Sequence, residues 1–173
     1  MSQKLNSKAI AGILLAAGLF CSSAADATTS LSTPLTVSAT VVTLCVAGIG
    51  TPISIASLTS TSGLTGTGAV TVVCTAGSGY DVKLDQGLNS GGSADPTQRK
   101  MKNALSAATL TYGLYQDAAY STPWGQTTGS NTMHKSGTGL VDTWPVYIKV
   151  DSTSAQTAPA GVYSDVVQLS VDY

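Results

Sequence analysis

The chain has 173 residues, with 18 Gly, a single Phe, no Glu and a formal net charge of −1, which is one domain's worth of sequence. That balance offers no basic face for nucleic acid and nothing to hold an anionic membrane surface. Thr, Ser, Gly, Ala and Val dominate, so strand and turn formers abound while the charged helix formers are scarce.

In chain order, the first element is an export signal over residues 1–27. Lys4 and Lys8 supply the positive start, and Ala9–Phe20 (AIAGILLAAGLF) is an apolar run too short for a membrane span. Ala25-Asp26-Ala27 forms an A-x-A site with cleavage after Ala27; cuts after Ala24 or Ala25 also fit. Cys21 raises the question of a lipid anchor, but the bulky Phe20 stands where such signals want a small residue. No second apolar run follows, so no membrane insertion is expected. Beyond Ala27 eight aspartates face six basic side chains, a net charge of −2. Low charge with many hydroxyls suits an exported β-protein that packs against copies of itself.

Residues 28–43 form an N-terminal extension. Within it Leu35, Val37, Ala39 and Val41 alternate with Thr36, Ser38 and Thr40, a strand with one apolar and one hydroxyl face. Periodicity alone allows this to be the first strand of the chain's own sheet or a strand meant for another groove. The body, residues 44–173, starts with Cys45. With Cys21 lost in the signal, Cys45 and Cys74 are an even pair in an oxidising compartment and read as a disulfide.

Strand-like segments then recur. TPISIAS (51–57) alternates Ile53 and Ile55, and a Gly/Ser/Thr loop runs from there to Gly68. AVTVVCTA (69–76) is a β-branched run expected at the centre of a sheet, and Gly77-Ser78-Gly79 turns the chain. YDVKLDQG (80–87) puts Tyr80, Val82 and Leu84 on one face. After a polar loop (88–98), RKMKNAL (99–105) reads as an edge with its charges outward. Leu110, Tyr112 and Leu114 share a face of ATLTYGLYQDA (108–118), and Val146, Ile148 and Val150 share one of WPVYIKVD (144–151). Residues 121–139 read as a long loop, or a turn with a short strand, and STSAQTAPAG as a further loop. The last segment, VYSDVVQLSVDY (162–173), sets Val167, Leu169, Val171 and Tyr173 on one face. No helix and no fixed-period repeat is evident. Seven or eight short strands with Gly-rich connections predict an all-β antiparallel sandwich.

Candidate chemistry is sparse. His134 is the sole histidine and sits in a polar stretch, where a triad would need it and an exposed loop residue is the plainer account. Asp81 and Asp85 share a strand face with Lys83 between them, which reads as a solvated face rather than a cation site. Gly63–Gly68 has no helix after it, so it cradles no phosphate. Trp124 and Trp144 offer a sugar-stacking platform, the basis of a rival reading as a secreted carbohydrate-binding sandwich. No catalytic set and no cofactor motif emerges.

The order of these pieces resembles the spore coat protein U domain, shared with subunits of archaic, Csu-type chaperone–usher pili. The residues that carry the resemblance are LTYGLYQDAAYSTPWG (110–125) and AGVYSDVVQLSVDY (160–173), in sequence after the two cysteines. Ile148 departs from the family, which often has Gly there. The resemblance implies an immunoglobulin-like sandwich that lacks its final strand. It implies an acceptor groove at Val167, Leu169, Val171 and Tyr173, filled first by a periplasmic chaperone. At an outer-membrane usher the groove would then receive the donor strand, Leu35, Val37, Ala39 and Val41, of the next subunit. The implied product is a head-to-tail filament of this chain or sister pilins on the cell surface, active in adhesion and biofilm formation, with no catalysis.

Overall fold

The computed structural model describes residues 32–55, 58–59 and 64–173. The export signal, the start of the extension and parts of the 56–63 loop lie outside them. The chain divides into two units at Ala39/Thr40. In the first, residues 32–39 have no regular secondary structure, and Leu35 and Val37 are exposed.

The second unit is all-β apart from one short helix. A six-stranded antiparallel sheet has the order β1-β2-β7-β5-β4-β8, and a three-stranded sheet the order β6-β3-β9. The strands are β1 (Cys45–Thr51), β2 (Thr65–Cys74), β3 (Gly79–Leu84), β4 (Arg99–Asn103), β5 (Thr109–Tyr115), β6 (Met133–Ser136), β7 (Val141–Val150), β8 (Tyr163–Ser164) and β9 (Leu169–Asp172). Alternation decides which faces meet. Val70 and Val72 of β2, Tyr80, Val82 and Leu84 of β3, the β5 triad and the β7 triad all point inward as their spacing predicts. β2 lies between β1 and β7, the central place its β-branched run suggests.

Four elements differ from expectation. The first strand of the sheet is CVAGIGT (45–51), and of TPISIAS only Thr51, the last residue of that strand, is strand among its described residues. Gly48 and Gly50 hide β1 from a propensity reading, yet a Cβ at Gly50 would meet Thr71 Cγ2 at 3.1 Å. β2 begins early, through Thr65-Gly66-Thr67-Gly68, a stretch expected to be loop. A side chain at Gly68 would come within 2.5 Å of Ile53 Cγ1 and 2.7 Å of the Thr51 carbonyl, so glycine lets the Thr51–Ile55 backbone lie on the strand. STSAQT forms a one-and-a-half-turn helix, α1 (Ser152–Thr157), because Asp151 caps it by accepting from the Ser154 N–H at 2.7 Å. The terminal segment breaks into β8 and β9 instead of running as one strand.

The charges of β4 are a fifth correction. Arg99 points inward and is fully buried. Its guanidinium donates to the carbonyls of Pro96 (2.6 Å), Asp85 (2.7 Å), Trp124 (2.8 Å) and Leu84 (3.0 Å). A planar fork with five N–H groups can satisfy loop carbonyls from several directions at once, which lets a cation sit at an inward strand position.

Candidate functional site

Cys45 and Cys74 face each other at the start of β1 and the end of β2 and are joined by a disulfide. Just before it, the backbone of Val42–Leu44 is tied to Thr75. The Thr75 N–H donates to Leu44 O at 3.0 Å. Its hydroxyl accepts from Leu44 N–H at 3.1 Å and lies 3.1 Å from Val42 O, to which it donates. The N-terminal segment is therefore rooted at one fixed point, the Cys74 end of the sandwich. Val41 and Val42 are exposed beside it.

At the opposite end lies a groove of about 1000 Å³ with an apolar floor. Leu110, Tyr112 and Leu114 of β5 and Ile148 of β7 make its floor, with Met101 of β4. Ile49 and Thr51 of β1, Ile53, Ile55 and Leu58 form one wall, and the other runs from Ala158 to Val167. The floor is almost covered, whereas wall residues are open: Ile49 is 61 % exposed and Val162 74 %. β1 and β8 supply lining residues and β9 follows from the second wall; each is the last strand of its sheet, so each has one edge without a strand partner among the described residues. Of the terminal residues singled out above, Val167 lines the groove. Leu169 and Val171 are half-buried against the core, and Tyr173 is exposed.

Two aspartates hold the second wall. Asp165 accepts from the Tyr112 phenol at 2.7 Å and from Asn89 Nδ2 at 2.8 Å. Asp85 Oδ1 accepts from the backbone N–H groups of Gly87 and Gln168, at 2.8 and 2.9 Å. Burial, then the hydrogen bond to Asp165, pushes the Tyr112 phenol far above its ordinary pKa. Neither Asp165 nor Tyr112 stood out in the sequence as a wall residue. Asp165 is one of two aspartates in the terminal segment, and nothing in its local pattern marks it.

The other candidates resolve into structural roles. Trp124 is fully buried, and its indole N–H donates to Val82 O at 2.9 Å, so it presents no face to a sugar. Trp144 is half-buried with the Lys135 ammonium 5.4 Å from its ring centre. His134 lies on β6, exposed, with Nδ1 3.1 Å from Asp81, which also accepts from Thr132 Oγ1 at 2.8 Å. Lys83, on the same face, pairs with Asp172. Among the described residues no three His, Cys, Asp or Glu side chains cluster as metal ligands would, and no helix is long and apolar enough to cross a membrane.

Comparison with known proteins adds the lineage. The chain is 36 % identical over 114 residues to "Protein U" of Myxococcus xanthus, across 64 % of this chain and 61 % of that protein. The chain thus spans less than two thirds of the curated relative. Among solved structures it is similar in fold to a chain of the CsuC–CsuE chaperone–tip adhesion subunit pre-assembly complex, from the archaic chaperone–usher Csu pili of Acinetobacter baumannii. The TM-score is 0.55 and the identity 18 %, over 78 % of this chain and 41 % of that one. The immunoglobulin-like sandwich is common to both. The sequence profile of the Spore Coat Protein U domain matches residues 31–170, and the chain belongs to that family.

Proposed function

We propose that this protein is a structural subunit of a chaperone–usher pilus that polymerises by donor-strand exchange. The observation that supports this best is a groove with an apolar floor, lined by β1 and β8, each of which has one edge without a strand partner among the described residues. In sequence, Leu35, Val37, Ala39 and Val41 of the extension alternate with polar residues, the pattern that a strand laid into such a groove needs. A strand laid into the groove would satisfy both edges with main-chain hydrogen bonds while its alternate side chains fill the apolar floor, which is β-augmentation. Burying three large aliphatic side chains contributes roughly 5–9 kcal/mol gross. Ordering the extension offsets part of that.

In this reading the groove is occupied in turn by a periplasmic chaperone and by a neighbouring subunit delivered at an outer-membrane usher. Occupation also shields edges that would otherwise aggregate. The contact is head-to-tail and does not close, so it propagates a filament. The protein would be exported by residues 1–27 and end in a cell-surface fibre serving adhesion and biofilm formation. The test is a non-reducing denaturing gel of the purified protein, heated and unheated, beside a version starting at Val42. A ladder that collapses on heating and is missing from the shortened form is the expected result. A lone monomer band from the longer protein overturns the reading.

A further inference from the structure

Why the extension should enter a neighbour's groove and not its own is a matter of where it is rooted. β1 starts at Cys45, opposite Cys74, and ends at Thr51. β9 starts with Leu169 opposite Leu84 and reaches Asp172 opposite Asp81. Cys74 and Gly79 flank one short corner, so β1 leaves that corner while β9 runs toward it. The groove sits toward the far end, between the Ile49–Ile55 stretch and the approach to β9. The groove wall begins at Ile49, four residues beyond the root at Cys45, on the order of 13 Å away at about 3.3 Å per residue.

For Leu35–Val41 to fill the groove of its own chain, the backbone must reverse within Val42-Thr43-Leu44 and fold back along β1. Two independent features oppose that reversal. The first is the Thr75 clamp, which engages Val42 O, Leu44 N–H and Leu44 O. These are groups a turn would need to reorient. The second is residue type. Tight hairpin loops need positive φ and take Asn, Asp or Gly; Val42 and Thr43 are β-branched and resist it. Even if the fold-back formed, its strand would be antiparallel to β1 and hence parallel to β9. A strand from another molecule is free to run antiparallel to β9.

We infer that Thr75 and the Val42-Thr43-Leu44 root form a built-in block against self-filling, which reserves the groove for the extension of a second copy. The inference rests on the donor-strand reading above. Thr75 is a positioning residue in it, acting through the backbone of the root.

The test compares the full chain, exported and purified, with Thr75→Ala, Thr75→Ser, and a triple variant, Thr43→Asn/Leu44→Gly/Thr75→Ala. The triple variant supplies a hairpin turn and removes the clamp. Its share of heat-labile ladder on an unheated gel should fall at least several-fold in favour of a folded, protease-resistant monomer. Thr75→Ser, which keeps the hydroxyl, should ladder like the parent, and Thr75→Ala should fall between. A triple variant that ladders as fully as the parent overturns the block while leaving donor-strand exchange intact. Should the triple variant fail to fold, Thr75→Ala against Thr75→Ser decides, and equal ladders overturn the inference. A parent chain that never ladders overturns the donor-strand reading itself, and the block with it.

Discussion

The phenol of Tyr112, on the groove floor, donates to Asp165 Oδ2, on the groove wall, at 2.7 Å. The pair is a strut across the corner of the groove, and Asn89 braces its outer end through Asp165 Oδ1. Gly87 makes room for it: a Cβ there would collide with the Asp165 carboxylate, and φ is +75°. Two residues far apart in sequence thus set the position of the segment leading into β9.

Tyr112→Phe removes one charge-assisted hydrogen bond and leaves the ring in place. We expect a loss of about 1–3 kcal/mol in chemical unfolding. Gly87→Ala should cost at least as much, through strain at positive φ and the clash with Asp165. A Gly87→Ala protein as stable as the parent would show that the wall moves freely.

Arg99→Lys keeps the charge but cannot reach four carbonyls from one rigid plane. Buried carbonyls of Leu84 and Trp124 would lose their donor, at about 1–3 kcal/mol each. We expect a cooperative but much lower thermal midpoint. Lys100→Ala, one residue on and half-buried, should barely change it.

Acid should weaken the Asp142 cluster. The Lys135 ammonium, then the Tyr80 phenol, holds the Asp142 carboxyl below its usual 3.8. A depressed native pKa contributes stability that is complete above the unfolded value and is lost as pH falls through the native one. Asp142→Asn should therefore flatten the acid limb of a stability profile below about pH 4. At the alkaline end, burial, then the Asp142 hydrogen bond, pushes Tyr80 from 10.0 up to about 12. Its contribution is present below pH 10.0 and fades as pH rises toward 12. Phenolate absorbance during a titration should show Tyr80 ionising near pH 12, a step that Tyr80→Phe removes.

Paired Cys45→Ser and Cys74→Ser substitutions open a loop with a sequence separation of 29. The chain-entropy estimate is about 3.5 kcal/mol, which lowers Tm on the order of 10 °C. Calorimetry of oxidised and reduced parent protein gives the same comparison without mutation.

Val37→Asp should leave export and the disulfide unchanged but abolish the gel ladder, because a charge would enter an apolar groove. Val167→Asp tests the groove side, and its expected result is a lower periplasmic level. A normal ladder from Val37→Asp would remove that residue from the donor face.

The core was legible because period-2 alternation is a property of the sequence itself. Tyr80, Val82 and Leu84, or Val146, Ile148 and Val150, could be placed on one face before any fold was known. β1 was not legible. Its glycines exist for close approach to β2, a tertiary requirement that propensity cannot express. Arg99 failed for a related reason: charge predicts exposure only until four loop carbonyls converge on the same spot. The groove was half legible. Val167 belongs to an alternating run, but Ile49, Leu58 and Ala158 come together only once the sheets are closed. The Tyr112–Asp165 strut carries no local signature.

The disulfide also fixes how the domain would bear tension. β1 is an edge strand, and a pull from its Cys45 end would peel its hydrogen bonds from β2 one at a time. The Cys45–Cys74 bond sits at that same end. A load entering at Val42 therefore crosses a covalent bond into β2 before β1 can unzip. β2 is paired along almost its whole length with β7, from Thr65 with Lys149 to Val73 with Val141. Pulled along its axis, that ladder must shear as a unit, so the weakest strand of the sheet is taken out of the path of force.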